Sequence, residues 1–237
     1  TVSTLHAHGL KACREYLRLK GVKLQVKYEN GKTFRTAVHE ETTDFAIFQY
    51  LKQTFGLARE IPKNLYVNDE LIPFNIVVNT IKKAIDSIAL NAIHYSKHDE
   101  IHTRFDILYG NEMLGHAINV LTKIVEHYFL LRGQVDFLGM LYIPAMLPEV
   151  QRHIFKPEIL AIDESQDSNQ LMQEMYKLIA SNASQVILLG DSNQTIHIWN
   201  NTSPIALQKL SQHFDAKMIE YSVSFRLPLA ITDYLNQ

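Results

Sequence analysis

Two short apolar runs in the last third of the chain, Ile159-Leu160-Ala161-Ile162 and Val186-Ile187-Leu188-Leu189, constrain the fold more than any other feature of the sequence. Neither alternates, so each reads as a strand covered on both faces, the habit of a parallel sheet. Parallel neighbours need a crossover, and 168–181 supplies one. Leu171, Met172, Met175, Leu178 and Ile179 recur there at helical spacing, behind the capping candidates Ser168 and Asn169. Met218-Ile219-Glu220-Tyr221-Ser222-Val223 reads as a third strand and 227–236 as a closing helix. Strand, helix, strand, helix, strand is a parallel α/β core.

The rest of the chain predicts helices. From Thr4 to Lys20, the positions Leu5, Gly9, Leu10, Cys13 and Leu17 share one face, and Gly21 stands as the stop. Two alternating runs, 23–28 and 32–38, flank Asn30-Gly31, the strongest short-range signal for a β-hairpin. Residues 42–131 read as mostly helical. One stripe is Phe45, Phe48, Leu51 and Phe55, taken as core. A second follows Pro73 (Ile76, Val77, Thr80, Ile81, Ala84, Ile85, Ile88), and a third runs from Met113 to Tyr128 and ends near Gly133. Only 9 glycines and 7 prolines in 237 residues leave room for long helices.

Composition narrows the class. With 46% hydrophobic residues the chain can bury a core, and its one cysteine, Cys13, excludes a disulfide scaffold. No apolar run approaches the roughly 18 residues of a membrane span, and the N-terminus carries no signal-peptide core, so the expectation is a cytoplasmic protein without a membrane partner. The net charge of −2 hides an asymmetry: residues 1–35 carry +6. Such a segment attracts phosphates, or is simply a solvated face. His94, His98 and His102, spaced four apart, read as a polar helix face rather than a zinc site, since no thiols accompany them.

Chemistry concentrates where the two apolar runs stop. The first is followed by Asp163-Glu164 and the second by Gly190-Asp191-Ser192-Asn193-Gln194. Ligands of open α/β sheets gather at the carboxyl ends of strands. A carboxylate there can hold Mg²⁺ through water, its neighbour can take a proton from an attacking water, and an amide can position a terminal phosphate. The competing structural reading is an acidic cap in a strand-to-helix loop.

These residues also match a family. Asp163-Glu164-Ser165-Gln166-Asp167-Ser168-Asn169 resembles the D-E-x-Q-D-S/T-N motif II of UvrD/Rep-type superfamily 1 helicases. The stretch from Gly190 to Trp199 is similar to their motif III, G-D-x-x-Q-S-I-Y-x-W, and Ser224-Phe225-Arg226 to motif IV, N-Y-R. Ser3-Thr4-Leu5-His6-Ala7 resembles the G-T-F-H-G of motif Ib, and Val135-Asp136-Phe137 the V-D-F that precedes motif II. The five matches fall in the family's order over nearly the whole chain.

The resemblance implies an ATP-dependent 3′→5′ DNA helicase with a RecA-like parallel sheet of the P-loop NTPase type, flanked by helices. The first RecA-like domain would comprise 1–20 and about 132–237, with 21–131 a mostly helical inserted subdomain bearing a short β-hairpin near 23–38. It implies that Asp163 coordinates the Mg²⁺ of MgATP and that Glu164 is the general base. Gln194 and Arg226 would contact the γ-phosphate, and Gln166 and Asp167 would link the nucleotide site to motif III. Trp199 would stack on a base of single-stranded DNA, with Thr4 and His6 along its backbone. Partners would be single-stranded DNA or a duplex with a 3′ tail, and accessory repair or replication proteins.

The sequence departs from the family pattern on the DNA side. His197 replaces tyrosine, Ile198-Trp199-Asn200-Asn201 replaces G-W-R-G, and Phe225 lacks the tyrosine hydroxyl. No G-x-x-x-x-G-K-S/T occurs. Gly31-Lys32-Thr33 lacks the earlier glycine, which would fall at Val26, and it sits in the hairpin. Motifs V and VI are absent as well, so the expectation is an internal piece of a longer helicase, inactive alone. The alternatives are a non-catalytic module that binds DNA or a partner protein, and a Mg²⁺-dependent nuclease using Asp163, Glu164 and Asp191.

Overall fold

The computed structural model describes residues 3–29, 32–39, 41–57, 61–67, 69–105, 110–194 and 202–221, with backbone alone for 25–29 and 32–36. Helix α1 spans Leu5–Leu19. Thr4 caps it by accepting from Ala7 N at 3.2 Å, and Gly21, at φ +68°, ends it as the left-handed stop its position suggested. Strands β1 (Gln25–Glu29) and β2 (Lys32–Thr36) pair antiparallel with Glu29 opposite Lys32, the expected hairpin; its Asn30-Gly31 turn lies outside the described residues. The chain then meets the segment around Val135: Val38 bridges Val135 in parallel, with Val135 N donating to Ala37 O at 2.7 Å.

Helix α2 covers Thr42–Thr54, and its inner face corrects the sequence reading. Ala46, Ile47, Tyr50 and Leu51 are buried, whereas Phe45 is 49% exposed and Phe48 and Phe55 are only half-buried. Leu51 apart, the aromatic stripe sits beside the core rather than in it. A second correction follows. Residues 64–73, read as part of a mostly helical stretch, form an antiparallel hairpin of β3 (Asn64–Val67) and β4 (Glu70–Pro73). Leu65, Val67 and Ile72 point inward, and Asp69 takes φ +62° at the turn.

Helix α3 (Phe74–Leu90) follows Pro73 and packs on α5 (Gly110–Lys123) through the buried residues predicted for both. The α5 stripe continues into a π-helix, Ile124–Leu131, before Gly133 at φ +66° closes it. Helix α4 starts only at His98 and ends at Arg104. His94 lies in the preceding turn with Nδ1 2.7 Å from Ser96 Oγ, so the three histidines do not share one helix. Next comes α6 (Gly139–Met146), buried on all sides; it forms the axis of the core, with α1 and α8 (Gln170–Ala180) against it. Short α7 is Pro148–Gln151. Buried residues from α1, α2, α3, α5, the π-helix, α6 and α8 form one continuous cluster, in which Cys13 is fully enclosed and its thiol pKa pushed up by burial.

Strands β5 (Ile159–Ile162) and β6 (Gln185–Leu188) pair in parallel, with Ile162 opposite Leu188 and α8 as the crossover. The expectation of two covered faces fails here. Leu160, Ile162, Val186 and Leu188 face the helices, while Ile159, Ala161, Ile187 and Leu189 are exposed on the other side. Among the described residues the sheet has only these two strands. Met218–Tyr221 is not a strand, and Met218, Ile219 and Tyr221 are at least 70% exposed, since no neighbour among the described residues offers them a ladder. The rest of that segment and the closing helix at 227–236 lie outside the described residues. Helix α9 (Ala206–His213) completes the order. No helix among the described residues is long and apolar enough to cross a membrane.

Candidate active site at the ends of the parallel strands

The parallel ladder carries the two polar strand ends to the same level. Leu189 N donates to Ile162 O at 2.8 Å, and Ser165 N donates back to Leu189 O at 2.9 Å, so Asp163 and Gly190 emerge side by side. Ser165 fastens this edge again through Oγ to Leu189 O at 2.8 Å, and Ser168 Oγ closes on Ser165 O at 2.5 Å.

Glu164 stands at φ +50°, ψ 39°, a left-handed conformation that costs a non-glycine residue on the order of 1–2 kcal/mol. Three contacts hold it. Its amide donates to Asp163 Oδ1 at 3.0 Å, its carboxylate accepts from Gln166 Nε2 at 2.7 Å, and its carbonyl accepts from Asp167 N at 3.0 Å across the 3₁₀ turn Ser165–Asp167. The strained backbone leaves both Asp163 and Glu164 exposed to solvent.

Gln166 is buried and joins the two strand ends. While its nitrogen grips Glu164, its Oε1 accepts from Asp191 N at 3.2 Å. The approach is so close that a Cβ on Gly190 would lie 2.3 Å from Gln166 Oε1, so this position admits only glycine without moving the amide. Past it, Asp191 organises the second loop. Oδ1 accepts from Asn193 N at 2.9 Å and Oδ2 from Gln194 Nε2 at 2.8 Å, across a second 3₁₀ turn, Ser192–Gln194. Sequence reasoning named Gln166 and Gln194. It missed the part played by Gly190, whose constraint arises from a residue 24 positions earlier.

Of the remaining site residues named from the sequence, Asp167 lies on the 3₁₀ turn beside Gln166. Thr4 and His6 form a separate group at the start of α1. Thr4 Oγ1 serves as the helix cap, and the His6 ring stacks on Phe137 with centroids 3.7 Å apart and planes at 19°. Partial burial lowers the His6 pKa, which keeps the ring neutral and stackable. Asp136, before Phe137, is buried; it accepts from Gly139 N at 2.8 Å and from Thr43 Oγ1, tying α6 to the start of α2. Trp199 and Arg226 lie outside the described residues.

The donor set suits a hard cation. Asp163 offers an exposed carboxylate to an ion such as Mg²⁺, which keeps most of its waters and needs only one or two protein oxygens. For the phosphates of a nucleotide, the usual holder is a glycine-rich loop ahead of a lysine, and the 237 residues contain no G-x-x-x-x-G-K-S/T.

Known proteins resemble this chain in sequence. "DNA helicase II" of Haemophilus influenzae is 28% identical over 110 residues, 44% of this chain and 15% of that protein. "ATP-dependent DNA helicase Rep" of Escherichia coli is 30% identical over 98 residues, 39% of this chain and 15% of its own length. The "Probable DNA helicase II homolog" of Mycoplasma pneumoniae is 34% identical over 55 residues, 23% of this chain and 8% of that protein. The chain thus spans a small part of the relatives it matches. The UvrD/REP helicase N-terminal domain family matches residues 1–215, and over that length the strand ends carrying Asp163, Glu164 and Gln194 fall inside it. The chain belongs to the UvrD/REP helicase N-terminal domain family.

Proposed function

We propose that this chain is the part of an ATP-dependent 3′→5′ DNA helicase that activates water and couples the nucleotide to single-stranded DNA, and that it works inside the cell as a segment of a longer protein. The observation that carries the reading is Gln166, whose single buried amide holds the Glu164 carboxylate and the Asp191 backbone at once. A general base must present its carboxylate to solvent in a fixed direction. Glu164 meets this through a strained backbone and one hydrogen bond.

Asp163 would hold Mg²⁺, which when bound supplies charge neutralisation at the terminal phosphate. Glu164 would take the proton of the attacking water at a carboxylate oxygen. Gln194, whose amide now rests on Asp191, would turn toward the phosphate and transmit its presence through the second loop. Arg226 would meet the charge that develops on the phosphoryl group, and Trp199, Thr4 and His6 would touch the strand. The RecA-like domain would comprise 1–20 and 132–237, with 21–131 inserted. The exposed apolar row Ile159, Ala161, Ile187 and Leu189 supports that reading, as parallel sheets are covered on both faces when complete.

In the full-length protein, Glu164→Gln is expected to cut DNA-stimulated ATP turnover by about 100-fold or more while nucleotide binding persists, a loss typical of a removed general base. Filter-binding and turnover measured together check it. Unchanged turnover would remove Glu164 from the mechanism.

A further inference from the structure

A cleft of about 440 Å³ lies between α2 and the π-helix, well away in sequence from the strand ends. Its α2 wall is Phe45, Gln49 and Gln53, spaced four apart and therefore on one face. The opposite wall is Lys123, His127, Tyr128 and Arg132. Lys123 precedes the π-helix, His127 and Tyr128 lie within it and Arg132 caps its end, and π segments recur at functional positions.

The chemistry of the lining is selective. Among the described residues no carboxylate lines the cleft, and the acid on α2, Asp44, is paired with Lys82 at 2.6 Å. Its cations rest on aromatic rings instead. Lys123 Nζ lies 5.1 Å from the Tyr50 ring and donates to Gln53 Oε1 at 2.7 Å, and the Arg132 guanidinium lies 5.7 Å from the Tyr128 ring. Their charges thus remain available to an anion. Phe45, held edge-on by Tyr128 at 6.1 Å, is half exposed at the cleft. A flat apolar ring, the amide of Gln49 and two cations, Lys123 and Arg132, without an ion-pair partner among the described residues suit one chemistry: an unpaired base attached to a phosphate.

We propose that this cleft holds one nucleotide unit of single-stranded DNA, with the base against Phe45 and the phosphate against Lys123, His127 and Arg132. A duplex hides its base faces, so only a single strand can use the Phe45 ring. The proposal rests on the helicase reading only in supplying that strand.

The test uses the full chain with a labelled thymidine 20-mer carrying 5-iododeoxyuridine. Ultraviolet crosslinking with mass-spectrometric mapping, and binding by anisotropy across a salt series, are run on wild type, Phe45→Leu and Arg132→Gln. Circular dichroism checks that both variants fold. Crosslinks at Phe45 or Tyr128, a weakening of about 5-fold or more in Phe45→Leu, and a salt slope shallower by about 0.7 in Arg132→Gln are expected. Wild type that binds the oligomer while crosslinking only elsewhere, with both variants unchanged, would overturn the cleft and leave the helicase reading standing. Free thymidine 5′-phosphate crosslinking at Phe45 without any oligomer binding would overturn the single-strand occupant and count against the helicase reading as well.

Discussion

At the scale of single residues, His116 shows how burial sets a pH response. Its Nδ1 lies 2.9 Å from Tyr50 Oη, Asn119 Nδ2 donates to the same oxygen at 3.3 Å, and the Phe55 ring covers it. Burial lowers its pKa below 6.5, although Glu112, 3.7 Å from Nε2, pulls the other way. A histidine whose folded pKa lies below its unfolded value binds more protons when unfolded. Its stabilisation is therefore complete above about 6.5 and is lost as pH falls below that value. Urea midpoints at pH 7.5 and 5.5 are expected to fall for the wild type. His116→Asn should fall less between the same two pH values, even if it starts lower. Equal falls would show that His116 does not carry the response.

Helix contacts set the next scale. Gly9 packs α1 so tightly on α6 that a Cβ there would lie 1.8 Å from Met140 O, a backbone atom that cannot rotate away. Gly115 in α5 has nothing within 4 Å of the same position. Gly9→Ala is expected to destabilise by about 1–3 kcal/mol through overpacking. Gly115→Ala should stabilise by up to about 1 kcal/mol, because alanine is the better helix former. Thermal melting of the two variants checks both signs, and a neutral Gly9→Ala would mean that α1 can shift freely on α6. The elements themselves were unequally legible. Gly21 marked the end of α1 because a left-handed glycine stop is a local requirement. The inner face of α2 was read wrongly, because four large apolar residues outweighed Ala46 and Tyr50 in the pattern. The β3–β4 hairpin was overlooked although Leu65, Val67 and Ile72 alternate around Asn68-Asp69, a weaker turn signal than Asn-Gly.

For the whole molecule, the absence of a phosphate-cradling loop from these 237 residues has a direct consequence. On the proposed reading, the acids at the strand ends would activate water only where phosphates are held, and backbone amides ahead of a helix are the usual holder. The chain alone is expected to show DNA-stimulated ATP turnover at least about 100-fold below a complete helicase, in keeping with the loss of its main electrostatic anchor. Turnover near that of a complete helicase would show that another part of this chain binds the phosphates.

The sequence by itself determined which acids and amides stand at the strand ends, and that two short parallel strands would present them. Those features are local, since an apolar run followed by a polar turn is written in consecutive residues. Only the tertiary structure decided the rest. Gln166 meets Asp191, His6 meets Phe137, and Phe45 stands exposed opposite Arg132, each pairing joining residues at least 25 positions apart. No periodicity encodes such pairings, because they arise from how the elements pack once their apolar faces are shared.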